Sequence, residues 1–369
     1  MKIVVTGAGG FVGRNLCVRL DAIAGHEIVC IGRHSSETEL ARAISGCRFV
    51  FHLAGVNRPS SEDEFAIDNA GFTNRLCWII EQEGSTATVV FSSSVQAEVD
   101  SAYGASKRQA ELRLEALAQC GRNRVIVHRL SNVFGKWCRP NYNSVVATFC
   151  HNVVHDLPCR VNDPNKVLNL LYIDDLVDNF IAEIAELKNP GYVLAPPLPT
   201  HRVTLTELAL RIQRFHKDRA SQQAPEADHG FERALYATYL SHLPPEAFCY
   251  SILTHDDPRG RFAEVIRTHN SGQFSYFTAR PGIIRGGHFH NTKNEKFLVV
   301  HGTGHFRFRN MADGRTFEVT TTGEKPQIVE SIPGWVHDIR NVGEEMLIAL
   351  LWANESFDRT RPDTFNHSL

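Results

Sequence analysis

A short apolar run, Lys2 to Thr6, leads without interruption into Gly7-Ala8-Gly9-Gly10-Phe11-Val12-Gly13, and Arg14-Asn15-Leu16 continue as a helix. A strand that turns into a helix over spaced glycines can fold in few ways. Gly7 permits the tight turn, Gly10 lets a pyrophosphate approach the backbone, and Gly13 lets the helix pack closely on the strand. The helix start then offers unpaired N–H groups and a positive dipole to the phosphates. The pattern predicts a dinucleotide site over Gly7, Gly10, Phe11, Val12 and Gly13.

From Met1 to about Leu187 short apolar strands alternate with helical spacing, which predicts a doubly wound, Rossmann-type α/β sheet. Strands are expected at Ile3–Thr6, Glu27–Ile31, Phe49–Leu53, Thr88–Ser92 and Val125–Leu130, with helices at Gly10–Leu20 and Ala105–Gln119. Their near-continuous apolar character fits a parallel sheet covered on both faces. Helical spacing persists from Thr204 to Leu240, Ser221–His229 reads as a mobile loop, and Ser241-His242-Leu243-Pro244-Pro245 ends the pattern. Beyond Tyr250 come short β-rich runs, Phe262–Thr268, Gln273–Thr278, Lys296–Val300 and Met346–Trp352, separated by glycine turns. That texture predicts a small all-β sandwich or barrel. The 369 residues therefore divide into expected domains 1–245 and 246–369, each long enough to bury its own core.

A formal net charge of −2 gives no broad electrostatic footprint for nucleic acid or an anionic membrane, so a small-molecule partner is expected. The chain enters its first strand at once, leaving no room for a signal peptide, and no apolar run approaches the roughly 20 residues of a membrane span. A cytoplasmic location is expected. Nine cysteines without a CxxC pair read as buried thiols. Several histidines cluster between 288 and 337, beyond the last cysteine at 249, and metal chemistry is expected there.

Ile31-Gly32-Arg33-His34 closes the second strand where an NAD-preferring enzyme would place an acidic residue on the ribose hydroxyls. An arginine there points to a phosphate, so NADPH is expected, with Arg33 on its 2′-phosphate and His34 or Ser35 assisting. Phe91-Ser92-Ser93-Ser94 ends a strand, and Tyr103-Gly104-Ala105-Ser106-Lys107 follows. Tyrosine and lysine four apart share one helix face. The ammonium is expected to lower the tyrosine pKa, and a serine hydroxyl can hold a substrate oxygen. Such a set can protonate a carbonyl oxygen as hydride arrives. Ser94 is the preferred serine, with Ser93 next.

In the second half, His288 and His290 point to one side of a strand. With Glu295 on the partnering strand and His337 from Pro333-Gly334-Trp335-Val336-His337, they could surround one divalent ion. Imidazoles with one carboxylate suit zinc, iron, manganese, nickel or copper alike. A cation there can polarise a ketone and acidify its neighbouring C–H. Tyr276, Lys293 and Lys296 are candidate proton carriers, while His301 and His305 read as solvated or packed.

The glycine turn, serine-tipped strand and YxxxK set are accompanied by His52-Leu53-Ala54-Gly55, Asp68-Asn69, Asn132-Val133-Phe134-Gly135 and Tyr172-Ile173-Asp174-Asp175-Leu176. In that order they resemble the extended branch of the short-chain dehydrogenase/reductases, which acts on nucleotide sugars. The resemblance implies that Leu53, Ala54 and Gly55 close over the adenine and that Tyr103 and Lys107 also touch the cofactor. Asn69, Asp174 and Asp175 read as structural. The spacing G-x5-HxH-x4-E-x6-G, with a second part ending in His337, resembles the cupin motif. Together with Lys136–Ser144 and Asn291–Val300, nearly the whole chain resembles a family of bifunctional capsular-polysaccharide enzymes. That resemblance implies a UDP-amino-sugar substrate, C3 epimerisation in a zinc-binding cupin, C4 reduction by NADPH, and a homodimer. It also implies contact of the Lys136–Ser144 loop with the sugar nucleotide, where Arg139 could pair with diphosphate. The alternatives are a reductase with a structural cupin, an NAD-recycling sugar epimerase or dehydratase, and an NADP-responsive regulator. The complete serine, tyrosine and lysine set argues against the regulator, since binding alone needs no proton donor.

Overall fold

The computed structural model describes residues 1–59, 61–185, 189–221, 223–251, 254–257, 260–263, 273–355 and 360–369. It divides into two compact units. Met1–Phe134, Tyr142–Ser144 and Leu168–Arg202 form the first, and Gly135–Asn141, Val145–Val167 and Val203–Leu369 the second.

The first unit is built on a parallel sheet of β1 (Lys2–Thr6), β2 (Glu27–Ile31), β3 (Phe49–His52), β4 (Thr88–Ser94), β5 (Arg124–Leu130) and the strand Gly191–Leu194. Their order is β2-β1-β3-β4-β5 followed by Gly191–Leu194, so the winding reverses between β1 and β3. Ligands of open α/β sheets bind at that reversal. Val4, Val50, Val89, Phe91, Val125 and Val127 are buried against Leu76, Ile79, Ile80, Leu114 and Leu117 from the helices, as a sheet covered by helices requires. Truncating a core residue such as Phe91 to alanine would cost about 3–5 kcal/mol.

Two boundaries differ from expectation in ways that matter for the site. β4 continues past Ser92 because Ser93 and Ser94 still pair with Arg129 and Leu130 of β5. The helix expected from Ala105 begins at Ala102, because the Ser101 hydroxyl accepts the Gly104 N–H at 3.0 Å and caps it. Tyr103 therefore stands in the first turn of a helix that runs to Gln119.

Among the described residues the second unit contains the helices Val145–Val154, Leu205–Ala220 and Gly230–Leu240, two five-stranded antiparallel sheets and the antiparallel pair Thr254–Asp257 and Gly260–Ala263. The helical spacing from Thr204 onward opens with a capping box between Thr204 and Glu207 and is split into two helices. One sheet runs Cys249–Ser251, Gln327–Glu330, Glu295–His301, Leu347–Ala353, Gln273–Ala279. The other runs Thr316–Thr322, Thr303–Asn310, Trp335–Asn341, Ile284–Phe289, Phe365–Asn366. This is the expected all-β, cupin-type domain, with Phe289, Phe297, Phe306, Phe308, Trp335 and Trp352 among its buried residues. Of the expected strand Phe262–Thr268, Phe262 and Ala263 belong to the strand Gly260–Ala263, and 264–268 lie outside the described residues. Residue 222 of the expected loop also lies outside them.

All nine cysteines are free thiols, but the expected burial holds only for Cys47, Cys77, Cys138 and Cys150; Cys17, Cys159 and Cys249 are half-buried, and Cys30 and Cys120 are exposed. Among the described residues no helix is long and apolar enough to cross a membrane.

Candidate active site and metal centre

Gly7 has φ +68°, and a Cβ there would stand 2.7 Å from the backbone nitrogen of Ala54. Only glycine fits at this reversal point. A Cβ on Gly13 would lie 2.2 Å from the Gly7 carbonyl oxygen, so the helix Phe11–Asp21, here α1, packs directly on the turn. Gly10 is the N-cap of α1, and among the described residues no side chain caps it and none comes within 4 Å of a Cβ built on Gly9. Uncapped N–H groups beside an open surface fit a diphosphate. Leu53 and Ala54 hang from β1 through bonds to the Thr6 carbonyl at 3.2 Å and the Thr6 hydroxyl at 3.3 Å. At Gly55 a Cβ would stand 2.9 Å from Asn69 Oδ1 and 3.4 Å from Lys107 Nζ, which brings the glycine turn, the Leu53–Gly55 segment and the lysine together. Arg33 lies just beyond β2 with its side chain 72% exposed, 3.7 Å from Asp68 Oδ2.

Tyr103 and Lys107 stand one turn apart on Ala102–Gln119. Lys107 Nζ donates to the Ser92 carbonyl at 3.0 Å and lies 5.0 Å from the centre of the Phe91 ring and 5.9 Å from that of Tyr103. Burial pulls its pKa down to about 8, against the opposing charge of Glu111. The Tyr103 phenol is shifted upward by burial, which outweighs its hydrogen bond with Ser94. The expected lowering of this phenol is thus reversed: the lysine points at a backbone carbonyl, and desolvation decides. A protonated phenol is the form a proton donor needs.

Ser94 accepts the Gln96 N–H at 3.1 Å and faces Tyr103. Ser93 donates to the carboxylate of Glu111, which Arg129 holds through bonds of 3.0 and 2.6 Å. Ser93 is thereby committed to a buried ion pair. Sequence reasoning missed this network, although Glu111 follows Lys107 by four positions on the same helix face. Asn69 bonds both the N–H and the carbonyl of Val56 and the Ser106 hydroxyl, the structural role expected of it. Next to Ser94 a cleft of about 280 Å³ is lined by Val95, Arg129, Ser131, Asn169 and Thr200 among others.

In the second unit His288, His290, Glu295 and His337 converge, their ligand atoms all within 4.8 Å of one another. Glu295 Oε2 lies 3.2 Å from His290 Nε2, 3.5 Å from His337 Nε2 and 4.0 Å from His288 Nε2. His290 stands just past the end of the strand Ile284–Phe289 that carries His288. The Gly334 N–H donates to the His290 carbonyl at 2.9 Å, so the Pro333-Gly334 turn brings the following strand, with His337, to the cage. A Cβ on Gly334 would stand 2.7 Å from Trp137 Cζ2, so the loop carrying Trp137 packs on that turn. Burial pushes Glu295 up, but the imidazoles around it, His290 foremost, hold it well below the usual carboxylate range. Burial also pulls His337 down to about 4.

The donor set fits a cation. His290 Nδ1 is hydrogen-bonded to the Asp363 carbonyl, which can only accept, so Nδ1 carries the proton. With Nδ1–H committed to that carbonyl, Nε2 faces the Glu295 carboxylate at 3.2 Å, a contact that a proton or a metal cation between the two atoms satisfies. Among the described residues, the buried His288 Nε2 and His337 Nε2 beside them find no hydrogen-bond partner of good geometry. Three imidazole nitrogens and one carboxylate are a ligand set for zinc or its neighbours.

Of the candidate proton carriers, Lys293 Nζ reaches Glu295 Oε1 at 3.3 Å. Lys296 points elsewhere, to Glu330 and to the Tyr250 hydroxyl at 3.1 Å, and Tyr276 is 68% exposed. His301 and His305 lie outside the cage, 3.2 Å from Glu345 and Glu318 respectively.

A Rossmann-type module with a serine, tyrosine and lysine set, followed by a cupin-type domain, defines an extended short-chain dehydrogenase/reductase fused to a β-domain. Residues 3–194 match the NAD dependent epimerase/dehydratase family, and the chain belongs to it. Residues 255–365 match the polysaccharide biosynthesis C-terminal domain. Over its whole length the chain is similar to the capsular polysaccharide assembling protein CapF of Staphylococcus aureus, with 40% identity, full coverage of both chains and a TM-score of 0.67. It is 48% identical over 365 residues to the UDP-2-acetamido-2,6-beta-L-arabino-hexul-4-ose reductase of Pseudomonas aeruginosa, covering 99% of this chain and 98% of that one. The spore coat polysaccharide biosynthesis protein SpsL of Bacillus subtilis is 30% identical over 125 residues, 30% of this chain and 81% of its own length.

Proposed function

We propose that this chain is a bifunctional nucleotide-sugar enzyme. Its cupin domain epimerises C3 of UDP-2-acetamido-2,6-dideoxy-4-hexulose, and its reductase domain reduces the C4 ketone with NADPH. The product is a UDP-2-acetamido-2,6-dideoxy-L-talose type sugar on the route to UDP-N-acetyl-L-fucosamine for capsule or O-antigen. The carrying observation is the presence in one chain of the Ser94, Tyr103 and Lys107 set and a separate four-ligand cage. The full-length likeness to the Pseudomonas reductase and to CapF supports the substrate class. The functional domains are 1–245 and 246–369, and the enzyme works as a cytoplasmic homodimer.

In the reductase half Gly7, Gly10, Phe11, Val12 and Gly13 hold the diphosphate of NADPH, Leu53 to Gly55 cover the adenine, and Arg33 takes the 2′-phosphate. When bound there, NADPH would supply the hydride for reduction at C4. Ser94 donates to the C4 ketone oxygen, and Tyr103 gives that oxygen its proton. Lys107 orients the ribose and offsets the charge left on the phenol, a role that needs its ammonium form.

In the cupin half His288, His290, Glu295 and His337 hold one divalent metal ion, zinc by family likeness. Such an ion polarises a ketone and so acidifies the adjoining C–H. Lys293, fixed against Glu295, is the nearest of the candidate groups able to carry a proton at C3. Incubating the protein with the UDP-4-keto sugar, with and without NADPH, and following products by NMR tests the proposal. C3 inversion without cofactor and C4 reduction only with it are expected. A reduced product with unchanged C3 would leave a reductase with a structural cupin.

A further inference from the structure

The carboxyl-terminal residues run alongside the metal-binding loop. Phe365 and Asn366 pair with Phe289 and His288, the Phe289 and Phe365 rings stack 5.3 Å apart, and the His367 N–H donates to the Gly287 carbonyl at 2.8 Å. At the head of this segment stands Asp363. Its Oδ1 accepts the Asn291 N–H at 2.9 Å, and its Oδ2 accepts the N–H groups of Thr292 and Lys293 at 2.7 and 2.6 Å and the Thr292 hydroxyl at 2.9 Å. Its backbone carbonyl accepts His290 Nδ1. The neighbouring Thr364 hydroxyl accepts from Lys293 Nζ at 3.3 Å, the same ammonium that touches Glu295.

We propose that Asp363 is a positioning residue of the cage formed by His288, His290, Glu295 and His337. Three consecutive N–H groups aimed at one carboxylate fix the path of 291–293, the link between His290 and Glu295. The carbonyl of the same residue fixes the His290 ring and its tautomer, leaving Nε2 bare toward the metal position. One residue therefore sets both the spacing of two ligands and the basicity of one of them. No sequence spacing announces this, because Asp363 stands some 70 positions from its partners.

This inference rests on the metal reading of the cage, and the test separates the two. The full-length protein, stripped with a chelator, is titrated with zinc(II) against a chromophoric chelator and with cobalt(II) while the visible ligand-field bands are recorded. The variants are Asp363→Ala and the near-isosteric Asp363→Asn, which puts an amide NH2 among the three N–H donors. Loss of a contact that orients a ligand typically weakens metal affinity about 10–100-fold. That loss, with altered cobalt bands in variants whose far-ultraviolet dichroism matches wild type, is expected. Unchanged affinity and bands in both variants, even with a lowered Tm, would overturn the role of Asp363. A wild-type protein that takes up neither metal would instead overturn the metal reading itself.

Discussion

Lys107 Nζ donates to the Ser92 carbonyl at 3.0 Å, tying the helix that carries Tyr103 to the strand that ends in Ser94. The bond fixes the position of the ammonium against the end of that strand. It also explains why a buried lysine is tolerated here: the carbonyl, the Phe91 ring and the nearby Glu111 charge replace part of its lost hydration.

Tyr103→Phe removes the proposed proton donor while keeping its packing. Its kcat for NADPH-dependent reduction is expected to fall about 10²–10⁴-fold with little change in cofactor affinity. Ser94→Ala should also slow turnover. Ser93→Ala should retain turnover and lower Tm, because it strips a hydrogen bond from the buried Glu111 carboxylate. Steady-state kinetics and thermal unfolding of the three variants check this, and the reverse behaviour of the two serines would assign the wrong one.

The depressed Lys107 pKa makes a pH prediction. In the free enzyme kcat/KM for reduction should fall as pH rises through about 8, where the ammonium is lost, well before the usual lysine range near 10.5. Stability moves the other way. Between about 8 and 10.5 the unfolded chain holds a proton that the folded one has released, so Lys107 makes stability rise with pH across that window. A pH series of kinetics and unfolding on wild type and Lys107→Met would show both effects vanish in the variant.

Arg33→Ala should weaken NADPH binding about 10–100-fold, the worth of a charge-assisted hydrogen bond of about 1.5–3 kcal/mol, and leave NADH binding unchanged. Fluorescence titration with both cofactors measures it. A wild-type protein that uses NADH as well as NADPH would refute the role given to Arg33.

Gly13→Ala puts a methyl group 2.2 Å from the Gly7 carbonyl, where backbone must move. A destabilisation of about 1–3 kcal/mol is expected, as for overpacking generally, together with weaker NADPH binding. Chemical unfolding with and without cofactor reads both.

Much of this architecture was legible in the sequence because its determinants are local. The glycine turn, the four-residue tyrosine–lysine spacing and the HxH alternation each fix geometry within a few residues. What stayed hidden depends on pairs far apart in the chain. Ser93 meets Glu111 only because β4 extends along β5, and Asp363 reaches residues 291–293 only through the terminal strand. The Tyr103 shift departs from expectation for a related reason, since desolvation depends on everything packed around a group and not on its nearest charge. The helix starts earlier than expected because Ser101, its cap, precedes the first apolar periodic position.

The most direct test follows hydrogen at C3 of the UDP-4-keto sugar in D2O with NADPH left out. Zinc-loaded wild-type protein should incorporate deuterium at C3, and chelator-treated protein or His337→Ala should not. Absence of exchange with a metal-loaded, folded protein would contradict the two-site account.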